Sequence, residues 1–413
     1  MIKETKEMDW TFLNENTREY THIYHDYPAR MIPQIPRNLL KILEEKEGNV
    51  LFDPYCGSGS SLVEGLMAGL NVIGTDINPL AKLISEAKVE YTIDPNELNR
   101  EIENFLEFTM FPKGTPKIIK KDNLEFWFKP SAIKGIGFII RYISSIRDKR
   151  IRKFFEATAS ETIRESSNTR KGEFKLYRYN EEKLKDYNPD PFSIMKEKLI
   201  RNFKGYESFH RKMSELNYQP TSKVYLANTV NQIPKIKIKE KSIDIVITSP
   251  PYGDSHTTVA YGQYSKLSSE WLGILSHNVD AASMGGKKSQ PESFGCDELD
   301  ACLKEVDAIN HIRSLEVYSF YSDLRSSINN VSKTIKNGGY ACYVVANRKV
   351  AGVLLPTDRS IVCFFEKNGF KNIETFTRAI PNKRMPSKNS PSNKAGKLED
   401  TMTKEYIILM RKE

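Results

Sequence analysis

The stretch NVLFDPYCGSGSS, Asn49 to Ser61, decides the fold. Its opening residues form a short apolar run of the kind buried in parallel sheets, ending at Asp53. Gly57 and Gly59 then let the chain turn tightly and approach a ligand without a Cβ in the way. Helical periodicity follows from Ser60 to Gly69, with Leu62, Leu66 and Met67 on one face. A second strand, Asn71 to Thr75, ends at Asp76, and another helix opens at Pro79, a favoured first-turn position, and runs to Glu90. Strand, glycine turn, helix, strand, acid: this opens a parallel α/β unit. The N-terminus of the first helix suits a carboxylate or phosphate, and Asp76 is placed to accept from ribose hydroxyls. Taken alone, the Gly57–Gly59 pair fits a plain strand-to-helix turn equally well, because its spacing differs from GxGxxG.

Composition bounds the rest. The chain has 413 residues, 39% hydrophobic and 28% charged, which suits one large domain with an insertion, or two domains. No apolar run approaches the roughly 18–20 residues of a membrane span. The opening MIKETKEMDW lacks the pattern of a secretory signal, so a cytoplasmic protein is expected. Five scattered cysteines without a CxxC pair argue against a disulfide framework, and each reads as core or incidental. His22 and His25 lack a third ligand of zinc-site spacing, so no metal is expected. The excess of 62 Lys+Arg over 53 Asp+Glu gives +9, which suits a polyanionic partner but equally a Lys-rich solvated surface.

From Thr92 to Gln219 the pattern becomes helical and charged, with helices expected over Ile133–Ile151 and Ser193–Leu216 and a loop over Ser166–Asp190. We expect residues 92–220 to be a helical insertion between core segments 1–91 and 221–413. Strands resume at Lys223–Ala227 and Ser242–Thr248, and a polar segment spans Asp254–Asp297. One long helix is expected from Asp297 to Lys336, capped by Gly338-Gly339. A strand (Tyr340–Ala346), a helix (Asp358–Asn368) and two strands (Phe370–Thr377, Glu405–Met410) follow, the last two separated by a basic, acid-free loop, Arg378–Lys397.

The Ser242–Thr248 strand runs into Ser249-Pro250-Pro251-Tyr252-Gly253. Two prolines make a rigid exit that leaves the Pro250 carbonyl free to accept and projects Tyr252 at the carboxyl end of the sheet, where open α/β folds bind ligands. By itself such a turn is most often only stiff.

Together, DPYCGSGSS, TDINPLA and TSPPYGDS closely resemble the S-adenosylmethionine-dependent DNA amino-methyltransferases of the cytosine-N4 type. HDYPARMIPQIPRNLL (His25–Leu40) is similar to that family's element before the cofactor loop, and IPNKRMPSKNSPSN also resembles these prokaryotic enzymes. The resemblance covers about 20–90 and 220–413, not the insertion. It implies a Rossmann-like methyltransferase fold: a mostly parallel central sheet with helices on both faces, plus the insertion. It also implies a cofactor site made by Asp53, Tyr55, Cys56, Gly57 and Gly59, with Asp76 on the ribose, Ile77 on the adenine and Asn228 near the adenine amino group. Two departures stand out: Tyr55 replaces the usual Phe, and Asn228 replaces a frequent acid.

By the same resemblance Ser249, Pro250, Pro251 and Tyr252 are the catalytic loop. The cytosine amino nitrogen is a poor nucleophile because its lone pair is delocalised into the ring. Ser249 Oγ and the Pro250 carbonyl would each accept an amino hydrogen and aim the lone pair at the methyl, so positioning supplies most of the rate. No strong base is needed before transfer, which makes Ser249 an orienter. Tyr252 would stack on the extruded base. A cysteine nucleophile is disfavoured because no Pro-Cys dipeptide exists. His256 is a weaker substrate-contact candidate.

The implied partner is double-stranded DNA, with a possible cognate restriction endonuclease, and the chain is expected to act as a monomer or weak dimer. Arg141, Arg147, Arg150, Arg152 and Lys153 would form one basic helical face for phosphates or guanine edges, joined by Lys383 and Arg384 in the late loop. A solvated helix face is the competing reading. The insertion is the first choice for target recognition and Asp254–Asp297 the second. Two alternatives stay open: adenine-N6 or RNA amino-methylation, and a non-catalytic nucleic-acid-binding module.

Overall fold

A computed structural model describes residues 8–233, 238–253, 259–274, 278–380, 388–389, 399–400 and 403–413. Its centre is a seven-stranded sheet: β1 (Val50–Asp53), β2 (Asn71–Asp76), β3 (Ser222–Leu226), β4 (Ile243–Thr248), β5 (Ile335–Val345), β6 (Phe370–Ala379) and β7 (Lys404–Lys412). The spatial order is β3-β2-β1-β4-β5-β7-β6. Every strand is parallel except β7, which runs antiparallel to β5 and β6. The order reverses between β1 and β4, and a crevice opens at such a switch point beyond the strands' carboxyl ends.

Strand periodicity divides the core between the two faces. Leu51, Ile245, Ile247 and Val344 pack on one side with α1 (Gln34–Ile42) and α2 (Ser60–Met67). Phe52, Val246, Tyr343 and Val345 pack on the other, with helices described below. A sheet covered on both faces needs continuous apolar strands, and β4 is apolar and buried from Ile245 to Ile247. This is the expected Rossmann-like arrangement.

After α3 (Pro79–Val89), residues 92–220 supply α4 (Pro95–Met110), α5 (Pro130–Ser145), α6 (Lys149–Glu165) and α7 (Pro191–Ser214). These enclose Phe105, Phe155, Leu199 and Tyr206 around Tyr24 of the short 3-10 helix Tyr20–Tyr24. The expected continuous helix Ile133–Ile151 is instead two helices, because Ile146 turns into the core and Asp148 caps α6 by accepting from the Arg150 N–H at 2.7 Å. The expected loop Ser166–Asp190 holds a Thr169–Arg178 bridge and a short helix, Glu181–Asp186.

The second half contains α8 (Tyr261–Leu272), α9 (Asp297–Ile309), α10 (His311–Thr334) and α11 (Thr357–Glu366). The expected single helix Asp297–Lys336 breaks at Asn310, whose side chain caps α10 through the Arg313 N–H at 3.1 Å. Gly338-Gly339 is no helix cap. The chain enters β5 at Ile335, and a Cβ on Gly339 would meet the Asp244 carbonyl at 2.7 Å, so this glycine serves the β4–β5 approach. Cys296 and Cys363 form a disulfide across 67 residues, correcting the expectation that both are core or incidental. Among the described residues no helix is long and apolar enough to cross a membrane.

Candidate active site

The β1–α2 turn is built around two acids. Gly57 and Gly59 adopt φ of 49° and 78°, the left-handed region that glycine tolerates. The Asp76 carboxylate, at the tip of β2, receives the Gly57 N–H at 2.9 Å and the Asn78 N–H at 2.8 Å, so it shapes the turn it faces. Burial pushes its carboxyl up to about 6 against those two hydrogen bonds. Asp53, at the tip of β1, accepts the Thr248 hydroxyl at 2.5 Å and the Tyr55 N–H at 3.1 Å. Burial also raises it to about 6, with Thr248 opposing the shift.

A crevice of about 890 Å3, open mouth included, lies over these tips. Asp53, Tyr55, Cys56, Gly57, Asp76, Ile77 and Asn228 line it from the cofactor set, and Ser249 and Pro251 from the second loop. Gly59 sits behind the turn, against Ser85 of α3. Pro250 is buried between its neighbours. Asn228 is held by its own amide, which donates to the Ala282 carbonyl at 3.1 Å and accepts the Val230 N–H at 3.0 Å. Tyr55 uses the hydroxyl that phenylalanine lacks to reach Ser327 of α10 at 2.5 Å, and Ser327 in turn pairs with Thr229. Burial pushes the Cys56 thiol well up, which leaves it no nucleophile.

Tyr252 is elsewhere. It packs on the sheet core, outside the crevice lining, and its hydroxyl lies 2.8 Å from Glu405 of β7 and 3.3 Å from Ser249 Oγ. The expected stacking platform is therefore drawn inward, by a carboxylate 153 positions away in the sequence. The aromatic surface that does line the crevice is Tyr27 beside Tyr261, rings 5.8 Å apart and 19° from parallel. Asn78 fixes Tyr27 by donating to its hydroxyl at 3.0 Å and to Ser265 at 2.7 Å. Tyr27 lies in the HDYPARM segment, so it was within reach of sequence reasoning; Tyr261 carried no signal.

The residues suit an adenosyl sulfonium amino acid. Asp76 offers an anionic acceptor for a ribose diol, and the opening of α2, with Ser60 and Ser61, offers a carboxylate seat. Ser58 Oγ is buried there without a hydrogen-bond partner among the described residues.

The residues of the expected basic face are divided between α5, α6 and the turn that joins them. Arg150 pairs with Asp148 at 2.6 Å and reaches the Thr92 carbonyl at 3.1 Å. Arg152 donates to the Ile146 carbonyl at 2.9 Å, and Lys153 pairs with Glu86 at 3.2 Å. These three seal the α5–α6 corner onto the core. Arg141 and Arg147 remain exposed. Arg378, expected in the basic loop, is buried at the end of β6. Lys383, Arg384 and His256 lie outside the described residues.

A family model described as an RMKL-like methyltransferase domain matches residues 18–102, which include the first strand tips. Over nearly its whole length the chain is similar to the Type II methyltransferase M.MvaI of Kocuria varians: 39% identical over 425 residues, covering 97% of this chain and 93% of the relative. The chain belongs to the Type II methyltransferases. A second member, M.BsoBI of Geobacillus stearothermophilus, is 22% identical over 426 residues, covering 88% of this chain and 81% of the relative. Among solved structures, the rRNA methyltransferase aviRa of Streptomyces viridochromogenes aligns over 98% of this chain and 93% of its own, at 12% identity and a TM-score of 0.37. The protein is thus a methyltransferase, and its Gly57 turn and the Ser249–Pro251 segment meet in one crevice.

Proposed function

We propose that this methyltransferase transfers a methyl group from S-adenosylmethionine to the N4 amino group of cytosine in duplex DNA, as the modifying half of a restriction-modification system. The observation that carries this is the placement of Ser249 on the same crevice as Asp76 and the Gly57 turn.

S-adenosylmethionine supplies an electrophilic methyl on a sulfonium. Asp76 would accept its ribose hydroxyls, and the Gly57–Ser61 turn would hold its amino acid end. Ile77, Tyr27 and Tyr261 offer the apolar surface for the purine. Ser249 Oγ and the Pro250 carbonyl would accept the two amino hydrogens of an extruded cytosine and turn its nitrogen lone pair toward the methyl. The nitrogen becomes acidic only after methylation, so its proton leaves late and no strong base is required. The helical insertion is proposed to face DNA, with Arg141 and Arg147 exposed for phosphate contact.

Incubation with methyl-labelled S-adenosylmethionine and unmodified duplex DNA, followed by digestion to nucleosides, tests the reading. Label on N4-methylcytidine's deoxy form is expected. Label on N6-methyladenine would move the target to adenine, and no label on DNA, with label on a parallel RNA substrate, would replace the substrate class.

A further inference from the structure

A hydrogen-bonded line of four side chains runs away from the crevice. Ser249 Oγ lies 3.3 Å from Tyr252 Oη, and Tyr252 Oη lies 2.8 Å from Glu405 Oε1. Arg378 donates to Glu405 Oε2 at 2.9 Å. Glu405 and Arg378 sit opposite each other in the β7–β6 pairing, and both are largely buried.

The donors and acceptors fix the direction of this line. An ionised carboxylate only accepts, and the adjacent Arg378 guanidinium only donates, so Tyr252 must donate to Glu405. Its oxygen is then left to accept, and among the described residues the hydroxyl recorded within reach is Ser249's. A serine hydroxyl carries one hydrogen. Once that hydrogen points inward at Tyr252, the lone pairs of Ser249 Oγ face the crevice.

We propose that Glu405, anchored by Arg378, is a positioning residue that sets the hydrogen-bond polarity of Ser249, so that its Oγ accepts from the base and does not donate to it. The consequence is a specificity device. Ser249 Oγ and the Pro250 carbonyl present two acceptors, which match an exocyclic amino group and oppose the carbonyl that uracil and thymine carry at the same ring position. A site whose buried acceptors are left unmatched rejects the wrong group strongly. The carboxylate that enforces this lies on the final strand, far in sequence from the loop it governs.

This inference rests on the proposed role of Ser249, so the experiment separates the two. Duplexes spanning a mapped methylation site, with cytosine or uracil at the methylated position, are titrated against wild-type protein, Tyr252→Phe, Glu405→Gln and the double variant. Steady-state kinetics are measured in parallel on the cytosine duplex, and S-adenosylmethionine affinity is measured by calorimetry. In both single variants the preference for cytosine over uracil should shrink and kcat should fall about tenfold or more, the worth of one charge-assisted hydrogen bond. Cofactor affinity should stay within about twofold, as expected when only interactions with the base are lost. The double variant should be no worse than Tyr252→Phe, because both cut one line. Should Glu405→Gln misfold and lose the cofactor, Tyr252→Phe decides alone. Wild-type discrimination and kcat in both singles, or additive losses in the double, would overturn the polarity proposal. If Ser249→Ala were also fully active, the assignment of the loop itself would fall.

Discussion

Thr248 donates its hydroxyl to the Asp53 carboxylate at 2.5 Å and so ties the tip of β4 to the tip of β1. The two strands are adjacent and parallel, but backbone pairing between them is registered only at Leu51–Ile245 and Phe52–Val246. Beyond that register this side-chain bond holds the β1–α2 turn against the Ser249 loop, and Ser249 is the next residue along the chain.

Thr248→Val keeps the shape and removes the donor. Asp53 then retains the Tyr55 N–H but loses its hydroxyl partner in a buried setting, at a cost of about 1–3 kcal/mol. A lower midpoint in chemical denaturation, with a reduced methylation rate at saturating cofactor, is the expected outcome. An unchanged midpoint would mean that the bond is dispensable.

Asp76→Ala should weaken S-adenosylmethionine binding by about ten- to a hundredfold, the loss of a hydrogen-bonded anion plus some disorder in the Gly57 turn it holds. Calorimetry reads this directly, and unchanged affinity would remove Asp76 from the ribose.

The same carboxyl sets a pH dependence. Asp76 titrates near 6, and only its ionised form is acceptor-only toward a diol. Cofactor affinity should level off above about pH 7 and weaken by up to about tenfold per unit below 6, a slope that Asp76→Asn should flatten. Stability without cofactor runs the other way. The folded state holds the protons of Asp53 and Asp76 more tightly than the unfolded chain, so these groups lower stability as pH rises from about 4 to 6.

Gly59→Ala places a Cβ on a residue at φ 78°, with the Ser85 Cα at 3.3 Å and its Oγ at 3.1 Å. The left-handed conformation alone costs about 1–2 kcal/mol, and the contact with α3 adds to it. Cofactor affinity and the unfolding midpoint should fall together, because Ser85 also donates to the Gly57 carbonyl at 2.7 Å.

Arg147 and Arg150 should behave differently although only two residues separate them. Arg147→Ala should weaken DNA binding and reduce the slope of log affinity against log salt by about one, as loss of one phosphate contact does. Arg150→Ala should leave that slope alone and lower stability through the Asp148 and Thr92 contacts. Filter binding over a salt series, beside thermal unfolding, separates the two.

The strand tips were legible because their signals are local: an apolar run, then a polar residue, with glycine or proline close by. Asp53, Asp76 and Ser249 meet where those signals place them. What escaped was set by contacts between distant residues. Glu405 draws in the Tyr252 hydroxyl from another strand, and nothing near Ser-Pro-Pro-Tyr announces it. The basic run Arg141–Lys153 has helical composition throughout, yet one buried isoleucine and one capping aspartate split it, and Arg150, Arg152 and Lys153 take partners within the fold. Asn310 divides the long helix in the same way, by capping rather than by breaking periodicity. Cys296 and Cys363 pair only because the chain entering α9 is brought against α11.

A co-crystal structure with S-adenosylmethionine tests the shared crevice most directly. The ribose should rest on the Asp76 carboxylate and the sulfonium methyl should point toward Ser249, leaving room for an acceptor nitrogen about 3–3.5 Å from the methyl carbon. A cofactor bound away from the Gly57 turn, or seated on it with its methyl directed away from Ser249, would contradict methyl transfer between these two strand tips.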